Sequence, residues 1–253
     1  MTGASSGIGL ELADQFATHD FDVVIAAEDG PGIEAAASRL RASGVQVTPV
    51  VVDLRRPADV ERLAEVATGT GRPLDALVLN AGIGEGGAFV EQDLTDVLSI
   101  VDLNVRSTVH LARLLLPAMV ARRQGRVLVT SSIASTMPGS FQAVYNASKS
   151  FEQSWTEALQ SELSDSGVTL TSLMPGPVDT AFFERGDLLD TLMGRAPKDD
   201  PADVAAQGFE ALMAGRKKVF AASIATKVMG AVNAVVPDTV KAAVHTQISK
   251  PRS

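Results

Sequence analysis

Two rhythms of apolar residues alternate along the chain. Short continuous runs at 21–27, 45–52, 74–79, 126–130, 168–174 and 217–222 have the length and β-branched content of buried strands. Between them apolar residues recur at three- and four-residue spacing, first at Ile8, Leu12, Ala13 and Phe16. The same spacing predicts helices over 33–43, 57–68, 94–123, 145–166 and 201–214, with Pro57 and Pro201 at positions a first turn tolerates. Strand alternating with helix implies a parallel sheet covered on both faces, because each crossover lays a helix against it. No internal repeat, linker or low-complexity segment appears, so the expectation is one α/β domain over 1–253. The pattern changes near Thr180. Residues 181–200 mix aromatics, glycine and charge, as either a mobile lid or an ordinary surface excursion would. Residues 223–248 read as two helices split at Pro237. The first carries only Lys227 as a charge and is expected to pack against a core, a partner subunit or a membrane surface.

Composition narrows the classes. The 253 residues carry a net charge of −8, without a Lys/Arg cluster, which argues against a nucleic-acid face. There is no cysteine, hence no disulfide, thiolate nucleophile or Cys-ligated zinc. His19, His110 and His245 lack ligand spacing, so no metal site is expected. Without a signal-peptide pattern or an 18-residue apolar run, the expectation is a cytoplasmic protein with no membrane span.

Two stretches carry candidate chemistry. Thr2-Gly3-Ala4-Ser5-Ser6-Gly7-Ile8-Gly9 runs straight into a helix, so backbone N–H groups and the helix dipole favour a diphosphate there. A lone glycine turn is weak evidence; the repeated strand–helix units strengthen it. The second runs from Ser131-Ser132 to Tyr145-Asn146-Ala147-Ser148-Lys149. Tyr145 is the chain's only tyrosine. On a helix its phenol and the Lys149 ammonium lie on one face, one turn apart. A phenol becomes a usable acid/base when a nearby cation stabilises its anion. In isolation, though, Tyr-x-x-x-Lys describes any helix with a core tyrosine and a solvated lysine.

Taken together, Thr2-Gly3-x-x-x-Gly7-x-Gly9, Asn80-Ala81-Gly82, Asn104, Ser132, Tyr145-x-x-x-Lys149 and Pro175-Gly176 resemble, in order and spacing, the classical branch of the short-chain dehydrogenase/reductases. The resemblance covers residues 2 to about 180. It implies a Rossmann-type doubly wound sheet of about seven parallel strands and hydride transfer between NAD(P)(H) and a carbonyl or alcohol. Residues 1–180 would then be the cofactor-binding and catalytic core, and 181–253 a substrate lid with C-terminal helices. By the same resemblance Tyr145 is the general acid/base, and Lys149 bonds the nicotinamide ribose and lowers the phenol's pKa. Ser132, more than Ser131, polarises the substrate, and Asn104 holds a water in a relay to the lysine. Cofactor contacts are implied for Gly3, Ser5, Ser6, Gly7, Ile8, Gly9, Glu28, Asp53, Leu54, Asn80, Ala81, Gly82, Tyr145, Lys149, Pro175, Gly176, Val178 and Thr180. A catalytically silent dinucleotide-binding regulator or scaffold is the alternative, though it would not need all four catalytic-type residues. An isomerase or dehydratase fits the glycine spacing and length less well.

Four finer expectations follow. Glu28 and Asp29 end the 21–27 strand where a 2′-phosphate would meet like charge, which leans toward NAD(H). The substrate pocket would be built by 83–90, 133–144 and 180–199, with Phe89, Ile133, Met137, Phe141, Phe182 and Phe183 favouring an apolar carbonyl or alcohol. Relatives place a buried strand before the glycine turn, whereas here Met1 directly precedes Thr2-Gly3. That leaves a gap beside two strands unless the native chain begins upstream or another segment fills the slot. The family's pairing through long helices also implies a homodimer or homotetramer.

Overall fold

The structure, a computed structural model, describes residues 1–186, 188–195, 197–221 and 238–249. Among these residues six parallel strands form the sheet: β1 (Val23–Ala27), β2 (Val47–Val51), β3 (Ala76–Leu79), β4 (Gly125–Thr130), β5 (Val168–Pro175) and β6 (Lys218–Ala221). β1 pairs with β2, and β3 to β6 pair in sequence order. Residues 1–3 join the two groups. Thr2 N donates to Val78 O, Met1 O accepts from Ala26 N, and Gly3 N donates to Ala26 O at 2.8 Å. The expected gap is therefore bridged over these residues. From here the chain winds outward through β1 and β2, then crosses to β3. This reversal is a topological switch point, where open α/β sheets bind ligands.

Adjacent strand positions feed two cores, Leu128 one and Val127 and Val129 the other. One face is covered by α1 (Gly7–Thr18), α2 (Gly30–Arg41) and α9 (Pro201–Met213), the other by α3 (Pro57–Thr68) and α5 (Thr108–Arg122). Their apolar positions follow the helical spacing seen in the sequence, and burying them supplies most of the folding drive. Asp29 and Asp200 cap α2 and α9 by accepting from Gly32 N and Ala202 N.

The uninterrupted helix expected over 94–123 is instead three pieces. They are α4 (Leu94–Ile100), a π-helical stretch (Val101–Ser107) and α5. The extra residue per turn carries Asn104 inward, where it is fully buried. α6 (Ala143–Glu162) follows a short 3₁₀ turn (Ile133–Thr136). Between β5 and α9 lie two single-turn helices, α7 (Phe182–Arg185) and α8 (Leu192–Arg195), and α10 (Asp238–Ser249) comes last. Phe183 is buried. The helix expected before Pro237 lies outside the described residues. No described helix is long and apolar enough to cross a membrane.

Candidate active site

The carboxyl ends of β1 to β5 open into one cavity of about 1260 Å³. Its floor is the glycine turn. Gly3 and Gly7 have φ of +66° and +56°, which side chains with a Cβ rarely adopt. A Cβ on Gly3 would also sit 2.9 Å from Ala81 Cα. Ser6, the N-cap of α1, makes no side-chain cap bond, and Gly7, Ile8 and Gly9 line the cavity. The first N–H groups of this twelve-residue helix are thus left to an anion, and the donor set fits a diphosphate. Thr2 fixes the turn against β3: its Oγ1 accepts from Asn80 N and Ala81 N, both at 3.0 Å. Asn80 in turn donates to Thr2 O and Gly3 O, and its Oδ1 accepts from Thr130.

On the opposite wall stand Ser132, Tyr145 and Lys149. α6 holds the last two one turn apart. Burial raises the phenol's pKa, while the Lys149 charge and a hydrogen bond from Ser132 pull it back. The Tyr145 ring packs against Phe182, with centroids 5.0 Å apart. Gly84 makes room for that pair, since a Cβ there would lie 2.8 Å from Tyr145 Cδ2. Lys149 is buried, not solvated; its Nζ donates to Thr130 O at 2.8 Å and lies 2.9 Å from Glu152 Oε2. A buried hydroxyl, a half-buried phenol and a buried ammonium around one space can move a proton to or from a substrate oxygen.

The cavity brings together the residues expected from the sequence at the glycine turn, Glu28, Asp53, Leu54, Asn80–Gly82, Ser132, Tyr145, Lys149, Pro175, Gly176, Val178 and Thr180. Asn104 stands behind its wall. Its amide donates to Ile83 O and Ser148 Oγ and accepts from Ile83 N, each at 2.9 Å. Of the apolar pocket residues, Ile133, Met137, Phe182 and Phe183 line the cavity, but Phe89 and Phe141 do not. Phe89 is exposed, and Phe141 sits at φ +63° in the turn before α6.

Two features were missed. Arg55 pairs with Glu28 and, at 2.7 Å, with Asp53, so neither acid simply faces solvent. Burial alone would raise the Asp53 carboxyl, but its bonds to Arg55 hold it below the usual range. Val240, Lys241, His245 and Ile248 of α10 also close the cavity, and only their distance in sequence hid them.

The sequence profile of the short chain dehydrogenases matches residues 1–187. The chain is 34% identical over 226 residues to 1-deoxy-11-beta-hydroxypentalenate dehydrogenase of Streptomyces exfoliatus, covering 88% of this chain and 82% of that one. Among solved structures it resembles a short-chain dehydrogenase from Sphingobium yanoikuyae in complex with NADPH. That match has TM-score 0.81 and 28% identity over 87% of this chain and 85% of the other. It also resembles a short chain dehydrogenase/reductase from Burkholderia phymatum in complex with NAD, with TM-score 0.84 and 25% identity over 100% and 96% of the two chains. The turn that cradles a diphosphate and the wall that can move a proton therefore sit in a recognised frame: the chain belongs to the short-chain dehydrogenase family and is an NAD(P)-dependent oxidoreductase.

Proposed function

We propose that Tyr145 exchanges a proton with the oxygen of a carbonyl or alcohol held in this cavity. The reading is carried by one observation: the half-buried Tyr145 ring, with Ser132 and Lys149 beside it, shares a cavity with the open N-terminus of α1. The glycine turn would hold the diphosphate, Asp53 and Leu54 the adenine end, and Lys149 the nicotinamide ribose. When bound, the nicotinamide supplies hydride transfer. Ser132 orients the substrate oxygen toward the phenol. Asn104 acts as a positioning residue through Ile83 and Ser148, without lining the space itself. Ile83, Ile133, Met137, Phe182, Leu192 and Val240 support an apolar substrate. A screen of reduced-cofactor consumption against ketones, aldehydes, sterols and sugars tests this, with turnover expected for apolar ketones or aldehydes. Turnover confined to sugars would contradict the apolar reading.

The lean to NAD(H) keeps its support after Arg55 is counted. Glu28, Asp29 and Asp53 line that end of the cavity, and Arg55 is already held by two of the three acids. A 2′-phosphate would have to compete for it, whereas a ribose hydroxyl can donate to a carboxylate. The protein should therefore bind NADH more tightly than NADPH. Glu28→Gln releases Arg55 from one of its two acids and should raise NADPH affinity by about tenfold, the equivalent of one modest charge contact. A direct titration in which the parent binds NADPH better would contradict the preference. Leu94, Leu98, Val101, Leu114 and Phe151 are exposed apolar residues on α4, the π stretch, α5 and α6, and they support a homodimer or homotetramer.

A further inference from the structure

The mechanism above leaves one buried charged group unused. Glu152 lies three residues after Lys149 on α6, with 2% of its surface exposed. Its Oε2 is 2.9 Å from Lys149 Nζ and has no aligned hydrogen-bond partner among the described residues. The contact is thus an ion pair more than a directed bond. Burying a carboxylate is costly unless it is paired, and among the described residues its only partner is the ammonium that also acts on Tyr145. Burial pushes the Glu152 carboxyl up to about 7, against the pull of Lys149. Its negative charge raises the pKa of Tyr145, while Lys149 lowers it.

The elements packed on α6 bring no competing charge to the pair. The 3₁₀ turn and β5 contain no titratable side chain, and Arg126 of β4 lies at the opposite end of its strand from Thr130. Asp102 and Arg106 of the π stretch pair with each other at 3.3 Å, and α4 contributes Asp96 alone. Among the described residues, Lys149 is the only charge found to act on Glu152.

We propose that Glu152 is a positioning residue that divides the Lys149 charge between itself and Tyr145, keeping the phenol protonated and so favouring proton donation to a carbonyl. A bare Lys149 beside the phenol would favour its anion, the form suited to oxidising an alcohol. With Glu152 ionised, that pull is partly cancelled. This inference rests on the reading of Tyr145 as the proton-transfer group, but it can be tested without substrate.

Tyr145 is the chain's only tyrosine, so the tyrosinate absorbance reports this phenol alone. Spectrophotometric pH titration of the parent and Glu152→Gln should show the phenol's pKa falling by about one unit in the variant, the size expected for losing a nearby like charge. Glu152→Met, also uncharged, should reproduce the single-variant result if the Gln variant does not melt cooperatively. An unchanged or raised pKa in both uncharged variants would overturn the proposal. That failure concerns Glu152 only; Tyr145→Phe turnover judges the underlying role.

Discussion

Replacing Tyr145 with phenylalanine should lower turnover by about 10²–10⁴-fold while leaving cofactor affinity and folding intact, because only the transferable proton is lost. The substitution keeps the ring, and with it the packing on Phe182 and the space over Gly84. Desolvation raises the pKa of this hydroxyl, so removing it takes away a neutral group and does not strand a charge. Ser132 loses a partner but keeps the bond it accepts from Ala134 N at 3.1 Å. Binding of NADH by Tyr145→Phe should therefore match the parent in a direct titration. A variant that turns over within about threefold of the parent would show that the proton comes from elsewhere.

The second large effect is expected at the other wall. Gly9→Ala should abolish measurable cofactor binding and lower the melting temperature. A Cβ at Gly9 would overlap the Gly3 carbonyl oxygen and lie 2.5 Å from Asn80 Nδ2. Neither neighbour can yield easily. Gly3 is fixed by its bond to Ala26 O, and Asn80 by its contacts with Thr2, Gly3 and Thr130. The methyl must push α1 away from the turn or break the Thr2–Asn80 network, and both misplace the N–H groups left for the diphosphate. Overpacking of this kind costs about 1–3 kcal/mol or more. Thermal melting with and without NADH measures both consequences. A variant that melts like the parent and is stabilised equally by NADH would contradict the assignment of this turn.

What could be read in advance followed from local regularity. Buried strands announce themselves as short apolar runs, and the glycine turn and Tyr145-x-x-x-Lys149 have spacings that a helix converts directly into geometry. The π stretch could not be seen, because one added residue per turn leaves an apolar pattern that still reads as a helix until Asn104 is found bonded to Ile83 and Ser148. Arg55 was invisible for another reason. A charged residue after a strand reads as solvated, and nothing local reveals that Glu28, 27 positions earlier, will pair with it. Glu152 did leave a trace: Tyr145, Lys149, Glu152 and Thr156 fall at helical spacing on one face, a polar stripe whose last three members the structure buries. Phe89 and Phe141 show the opposite error, in which nearness in sequence to pocket residues was taken for nearness in space.

The most direct test of hydride transfer in this cavity is the fate of a label. An apolar carbonyl that supports consumption of the reduced cofactor is supplied together with cofactor deuterated at the transferable position of the nicotinamide. The alcohol product should carry the deuterium on the former carbonyl carbon. Oxidised cofactor accompanied by unlabelled alcohol, or by no alcohol at all, would contradict it.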